Sequence, residues 1–382
     1  MQSETNVFIA SEWLSCGRVF ERMTLPPSVK HEIKHLLAIP APIQSTIPSQ
    51  TLSITQLLDI NLPASLDCKL DSNTITFSSC LVLACVPDLD DILSWTVPPL
   101  HIVTKLLDQF GQAWFDGQSS VIHPSAPSTH LPFWILSYWK EVSHALEARL
   151  ASLSTHDWVL DRLDSIDEVL DVLGRLPWDV ELWGLGASVG LHTSELRPLL
   201  SNTMIDGCVL DALIVAINES LDDSNSCHNY TVETLRFCKY ITARGCTVHS
   251  VACAPSGNSL HDGSIQCIIF PVNISQVHWA VFSVDAEMQT IAYGDSLGWS
   301  WPASYVDTIQ LWLKNHGFTP FSKVPMAHSN QIDSFSCAIA AINTIKHAVF
   351  KHPLFTDNKK YCLRMEEFLV LARSHFEVRL HD

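Results

Sequence analysis

From about residue 187 onward the apolar positions fall into short, sharply bounded blocks with two different periods. In "NTMIDGCVLDALIVAINESL" Ile205, Val209, Leu213, Ile217 and Leu221 recur every four residues. That spacing predicts a helix with one apolar side and Asn202 or Thr203 as its cap. "SIQCIIFPVN", "HWAVFSVD" and "QTIAYGD" are crowded instead with β-branched and aromatic residues and predict three successive strands. "ASYVDTIQLWLKNHG" predicts a helix ended by Gly317. "CAIAAINTIKHAVF" predicts another, whose small residues suit a central position. Strands bracketed by helices define an α+β domain over 187–382.

Residues 1–186 have a looser pattern. "ERMTLPPSVKHEIKHLLAIP" predicts a short helix entered through Pro26-Pro27 and ended by Pro40. "FWILSYWKEVSHALEARLASL" predicts an amphipathic helix. So does "LDRLDSIDEVLDVLG", where Leu160, Leu163, Ile166, Leu170 and Leu173 keep helical spacing and Ser165 with Glu168 fits a capping box. "IPAPIQSTIPSQ" and "VIHPSAPSTHLPF" read as Pro/Ser-rich connections. The region is expected to be mainly helical and carries no repeat.

Composition sets limits on what such a chain does. Of 382 residues, 47% are hydrophobic and 16% charged, which describes a globular protein long enough for two cores. No apolar run approaches the ~18–20 residues that span a bilayer, and "MQSETNVFIASEWL" lacks the form of a secretory signal. The net charge of −17 is carried mostly by the first half and includes no basic stripe, which disfavours nucleic-acid binding. The 12 cysteines contain no C-x-x-C pair, so they are expected to be reduced thiols of the nucleus or cytoplasm. Cys208, Cys253 and Cys267 are read as core. No cofactor is expected.

"HEIKH" at 31–35 matches the H-E-x-x-H pattern of zinc peptidases, with Glu32 as would-be base. No glutamate follows Glu32 before Glu141, no H-x-x-G-x-x-H extension is present, and Pro40 cuts the helix short. An exposed helix face is the better reading, and no metal site is expected.

The strands point to different chemistry. His278 opens "HWAVFSVD" and Asp295 closes "TIAYGD". Antiparallel pairing of those strands would bring imidazole and carboxylate to one sheet edge. Cys337 opens the small-residue helix, and Gln331 precedes it by one short loop. A thiol attacks a carbonyl as thiolate, which a helix N-terminus and a neighbouring imidazolium both favour. His278 would shuttle the proton, Asp295 would orient the ring, and Gln331 with the Cys337 N–H would stabilise an oxyanion.

The order H-W, G-D-S, Q-x5-C resembles the ubiquitin-like-protein-specific proteases, the SUMO/sentrin or Ulp-type cysteine proteases related in fold to adenovirus proteases. The resemblance covers roughly 187–382 and is carried by "IIFPVNISQVHWAVFSVD", "YGDS", "SNQIDSFSC" and, upstream, "RPLLSNTMIDGCV". It implies a papain-like, adenain-like α+β domain with a central mixed sheet flanked by helices. It also implies catalytic roles for His278, Asp295, Gln331 and Cys337, with Trp279 covering a narrow channel for a Gly-Gly tail. Leu199 and Asn202 fall where the family often has a substrate-facing tryptophan and an aspartate. Ala338 replaces the usual glycine after the nucleophile, and Phe335 keeps a ring where the family has tyrosine. The implied activity is cleavage after the Gly-Gly of a SUMO-like modifier, with that modifier or its conjugates as partner. Leu199 and Ala338 leave open a catalytically impaired module that binds such a protein without cutting it.

Overall fold

The structure is a computed structural model that describes residues 25–66, 75–80, 89–123, 126–162, 166–184, 189–223, 229–242 and 254–377. Leu163, Ser165 and Cys253 lie outside those residues. The chain forms two compact units, Met1–Leu153 and Ser154–Asp382.

In the first unit come helices α1 (Pro27–Leu36), α2 (Ala41–Gln44), α3 (Ile54–Asp59), α4 (Leu89–Ser94) and α5 (Leu100–Phe115). The long helix α6 (Trp134–Leu160) begins there, and the division between the units falls within it. Pro26 and Pro27 pre-set the backbone for the first turn of α1, as the sequence predicts. On α5, Ile102, Val103, Leu106, Phe110 and Trp114 keep helical spacing and are buried with Phe133, Tyr138 and Trp139. Strands β1 (Phe77–Ser78), β2 (Ser120–His123) and β3 (Ala126–Leu131) add a small antiparallel sheet. The stretch read as a Pro/Ser-rich connection is thus a hairpin. Its apolar anchors are Val121 and Leu131, a pair too short to register as alternation.

His31 and His35 of the H-E-x-x-H match are both exposed on α1. Among the described residues, no group of three or more His, Cys, Asp or Glu is placed to hold a metal ion. None of their helices is long and apolar enough to cross a membrane.

The second unit starts well before residue 187, which corrects the boundary expected at 186/187. The end of α6 belongs to it: Trp158 packs edge-on against Tyr361 with ring centroids 5.5 Å apart, and its indole N–H donates to Asn202 Oδ1 at 3.0 Å. Helix α7 (Asp167–Arg175) follows, with Val169, Val172 and Leu173 buried. The Trp183 N–H donates to His375 Nδ1 at 3.2 Å, and Arg373 pairs with Glu168. The change of apolar pattern near residue 187 set the expected boundary, but packing rather than pattern decides where a core ends.

Then come the 3-10 helix Thr193–Leu200, helices α8 (Gly207–Asp223), α9 (Leu235–Thr242) and α10 (Ala254–His261), and later α11 (Ala303–Asn315), α12 (Cys337–Phe350) and α13 (Lys360–Glu377). Helix α8 starts later than its apolar period suggested. Asp206, not Asn202 or Thr203, caps it by accepting the Cys208 N–H at 3.0 Å. Cys208 is exposed and Cys267 buried, so the core assignment holds only for the latter of these two.

The sheet runs β4–β5–β6–β7–β8 (Tyr230–Val232, Cys267–Ile274, His278–Asp285, Thr290–Gly294, Ser322–Pro325). Its outer pairs are parallel and its inner pairs antiparallel, so it is mixed. The unit is therefore the expected α+β domain. β5 and β6 are almost wholly buried, which explains their continuous apolar runs. Register places Ile274 opposite His278 and Val281 opposite Gly294. His278 thus sits at the first position of β6, and Asp295 one residue past the end of β7, at the same sheet edge.

Candidate active site

The turn joining β5 to β6 delivers His278. Ser275 and Gln276 both adopt left-handed backbone (φ 56° and 62°), closing the hairpin without a glycine. The ring behind it is 1% exposed. Its Nε2–H donates to Asp295 Oδ1 at 2.9 Å. Asp295 also accepts from the Tyr293 hydroxyl at 2.6 Å and from the Leu297 N–H at 2.8 Å. Burial works against the Asp295 carboxylate, but these donors outweigh it and hold its pKa below the ordinary value. Burial and the Asp295 charge push the Tyr293 hydroxyl up, so it stays a donor.

With Nε2 committed to Asp295, Nδ1 is the ring nitrogen left for another partner, and Cys337 is among the groups that act on the ring's protonation. Burial alone would lower the His278 pKa; hydrogen bonds to Asp295 and then Cys337 override it and raise it to about 9. The ring is therefore an imidazolium at neutral pH, and an imidazolium beside a thiol favours thiolate.

Cys337 is the first residue of α12 and is 2% exposed. Ser336 precedes it at the N-cap but makes no side-chain capping bond; its hydroxyl donates to Asp333 Oδ2 at 2.8 Å. The first N–H groups of α12, that of Cys337 included, are thereby left for another acceptor. Asp333 builds the turn: its Oδ1 accepts from the Phe335 and Ser336 N–H groups at 3.0 and 2.8 Å, and Lys360 pairs with it at 3.2 Å. Burial opposes its charge, yet those partners keep its pKa low.

Gln331 is buried and held from three sides. Its N–H donates to the Ser296 carbonyl at 3.0 Å, its Oε1 accepts from the Ser296 hydroxyl at 2.7 Å, and its Nε2 donates to the Asp333 carbonyl at 2.8 Å. A carbonyl only accepts, so the amide orientation follows, and one amide hydrogen remains for an oxyanion. Because Ser296 follows Asp295 directly, the same contact ties the glutamine to the His278–Asp295 pair.

Of the four candidate catalytic residues, His278 is thus bonded to Asp295, and Gln331 to Ser296 beside Asp295 and to Asp333 in the loop that leads into Cys337. Trp279 is nearly buried; its indole N–H donates to the Ile205 carbonyl at 3.3 Å. It lines a cavity of about 560 Å³ together with Ile205, Leu235, Lys239 and Tyr305. Neither Cys337 nor His278 is among the lining residues, so this cavity flanks the reacting atoms rather than containing them.

The two remaining assignments fare differently. Leu199 is fully buried in the 3-10 helix, which corrects its reading as a substrate contact: its side chain fills core. Asn202 is exposed, but its Oδ1 is engaged by Trp158.

Several residues escaped sequence reasoning. Tyr293 shares a strand face with Asp295, two positions on, which was a usable signal. Trp299 rests on the His278 ring with centroids 4.7 Å apart while staying 43% exposed. Arg364 is wholly buried beneath the nucleophile loop, on α13 four residues before Phe368.

An α+β unit carrying a Cys–His–Asp constellation at the edge of its sheet is the class that fold and site define. No family model matches the chain, and no curated protein does. Among solved structures, the C-terminal Ulp1 protease domain in complex with Smt3, the yeast ortholog of SUMO, is 19% identical over 57% of this chain and 97% of that one, with a TM-score of 0.45. The Chaetomium thermophilum Ulp1-like SUMO protease catalytic domain is 16% identical over 51% and 83%, with a TM-score of 0.39. The Xanthomonas campestris effector protein XopD bound to ubiquitin is 13% identical over 44% and 91%, with a TM-score of 0.34.

Proposed function

We propose that the protein is a thiol peptidase that cleaves after the C-terminal Gly-Gly of a SUMO-like ubiquitin-like modifier. The observation that carries this reading is the ring of His278, held by Asp295 at 2.9 Å through Nε2, with Cys337 among the groups that raise its pKa. In this mechanism the Cys337 thiolate attacks the carbonyl carbon and a C–S bond forms. The negative oxygen is met by the Cys337 N–H and the Gln331 amide. Collapse breaks the C–N bond as the His278 imidazolium gives its proton to the leaving amine. A water, deprotonated by His278, then hydrolyses the thioester and frees the sulfur.

The depth of Cys337 favours a substrate segment without side chains. A sulfur this nearly buried admits a slender backbone such as two glycines more readily than a substituted peptide. Partner class comes from the sequence resemblance, and the nuclear or cytoplasmic setting rests on the expectation that the cysteines are reduced.

A panel of propargyl-terminated ubiquitin-like proteins tests the reading on the full chain. Covalent capture by at least one member, abolished in Cys337→Ala with the fold retained, is the expected result. Tight binding of a modifier with no capture at any pH would establish the impaired binding module instead.

A further inference from the structure

Beneath the nucleophile loop lies a cation to which no carboxylate of the described residues is bonded. Arg364 of α13 is fully buried. Its guanidinium donates to three backbone carbonyls: Nη1 to Pro198 at 2.6 Å, and Nη2 to Thr203 at 3.0 Å and Phe335 at 2.8 Å. The carbon of the same group lies 5.2 Å from the centroid of the Phe335 ring. Its Nε has no hydrogen-bond partner among the described residues. A buried cation satisfied by neutral carbonyls is costly, because its lost hydration is repaid only in part. An apolar side chain of similar length would fill this place at lower cost if stability were its only purpose.

The three carbonyls belong to segments that matter to the site. Pro198 and Thr203 bracket the stretch from the 3-10 helix to Asn202, and Phe335 lies two residues before Cys337. Resting on the peptidase reading above, we propose that Arg364 is a positioning residue for Cys337. It clamps the Phe335 carbonyl, and with it the Ser336–Cys337 turn, and it provides fixed positive charge behind the sulfur. The Lys360 ammonium also faces the Phe335 ring, 5.5 Å from its centroid, but Asp333 neutralises it at 3.2 Å. Arg364 has no such bonded counter-charge.

The charged and titratable groups around the sulfur are few. His278 approaches from β6 with Asp295 behind it, Asp333 lies in the loop, and Lys360, Tyr361 and Arg364 lie on α13. Arg364 and Cys337 interact electrostatically, and burial lowers the guanidinium pKa only to about 10, so the charge persists at neutral pH.

The test is alkylation of the full chain by iodoacetamide across pH 5–10, read at the Cys337 peptide by mass spectrometry, beside a thermal melt. Arg364→Met is expected to move the pH midpoint of Cys337 alkylation up by about one unit and slow it about tenfold at pH 7. Arg364→Lys keeps the charge but not the planar fork, and is expected to hold the midpoint near that of the unaltered protein while capture by a propargyl probe slows. Should the methionine variant not fold, Arg364→Gln, neutral but still a donor, takes its place. A neutral variant whose melting temperature changes while its midpoint stays put overturns the proposal, as does a lysine variant whose midpoint moves as far as methionine's. If unaltered Cys337 reacts like an ordinary free thiol, the peptidase reading itself fails.

Discussion

The imidazole of residue 278 is the group whose charge the site is built to control. Its pKa, raised to about 9 from an ordinary 6.5, makes it a contributor to stability in its protonated form. That contribution is complete below about pH 6.5 and is lost as pH rises through about 9. Asp295 has the opposite sign: its depressed pKa contributes above the ordinary carboxylate range and is lost as acid reaches the lowered value. The unfolding free-energy difference between the unaltered protein and His278→Gln should therefore shrink by about 3 kcal/mol between pH 6 and pH 10. Denaturant titration at the two pH values measures it, and a constant difference refutes the charged resting ring. In turnover, the alkaline limb of kcat/KM should fall near pH 9 and move toward neutral in Asp295→Asn, because the asparagine no longer holds the ring's positive charge. Gln331 offers a separate prediction. Replacing it with alanine removes one oxyanion donor and should lower kcat by about 10²–10³ while leaving KM within a few-fold. Single-turnover kinetics check this, and an equal loss in KM would make the glutamine a binding rather than a transition-state contact.

At the scale of elements, legibility followed burial. Strands β5 and β6 are buried on both faces, so their apolar runs announce them, and with them the edge where His278 and Asp295 meet. The turn between them is silent because Ser275 and Gln276 adopt left-handed backbone without the glycine or asparagine that marks such turns. That choice carries strain. Gln276→Gly should stabilise the unit by about 0.5–1 kcal/mol, the relief of a left-handed non-glycine residue less the entropy that glycine loses. Thermal or urea unfolding reads the gain, and destabilisation would show that the Gln276 side chain matters more than its backbone. The start of α8 was misplaced because Ile205 continues the apolar period while Asp206, one residue on, captures the Cys208 N–H and begins the helix there. Arg364 was overlooked for a related reason: a charged residue on an apolar stripe reads as solvent-facing, and only the three carbonyls around it show otherwise.

At the scale of the whole chain, the domain division is where composition and packing part company. The sharper apolar pattern from about residue 187 onward suggests that one core ends and another begins there. Yet Trp158 and Arg162 lean on Tyr361, Trp183 bonds to His375, and the buried face of α7 belongs to the second unit. Those contacts converge on α13, the helix that supplies Arg364 and Lys360 to the nucleophile loop. Removing residues 154–186 would uncover the surfaces that Val169, Val172, Leu173 and Trp178 bury, at a cost of about 1.5–3 kcal/mol for each large side chain lost from a buried place. A chain beginning at 187 should therefore melt well below one beginning at 154, and its α13 should lose amide-exchange protection first. The loss should reach the site, so that Cys337 capture by a ubiquitin-like probe slows in the shorter chain even at temperatures where both are folded. Equal melting temperatures and equal capture rates would put the functional boundary at 187 after all and leave α7 an ornament on a unit complete without it.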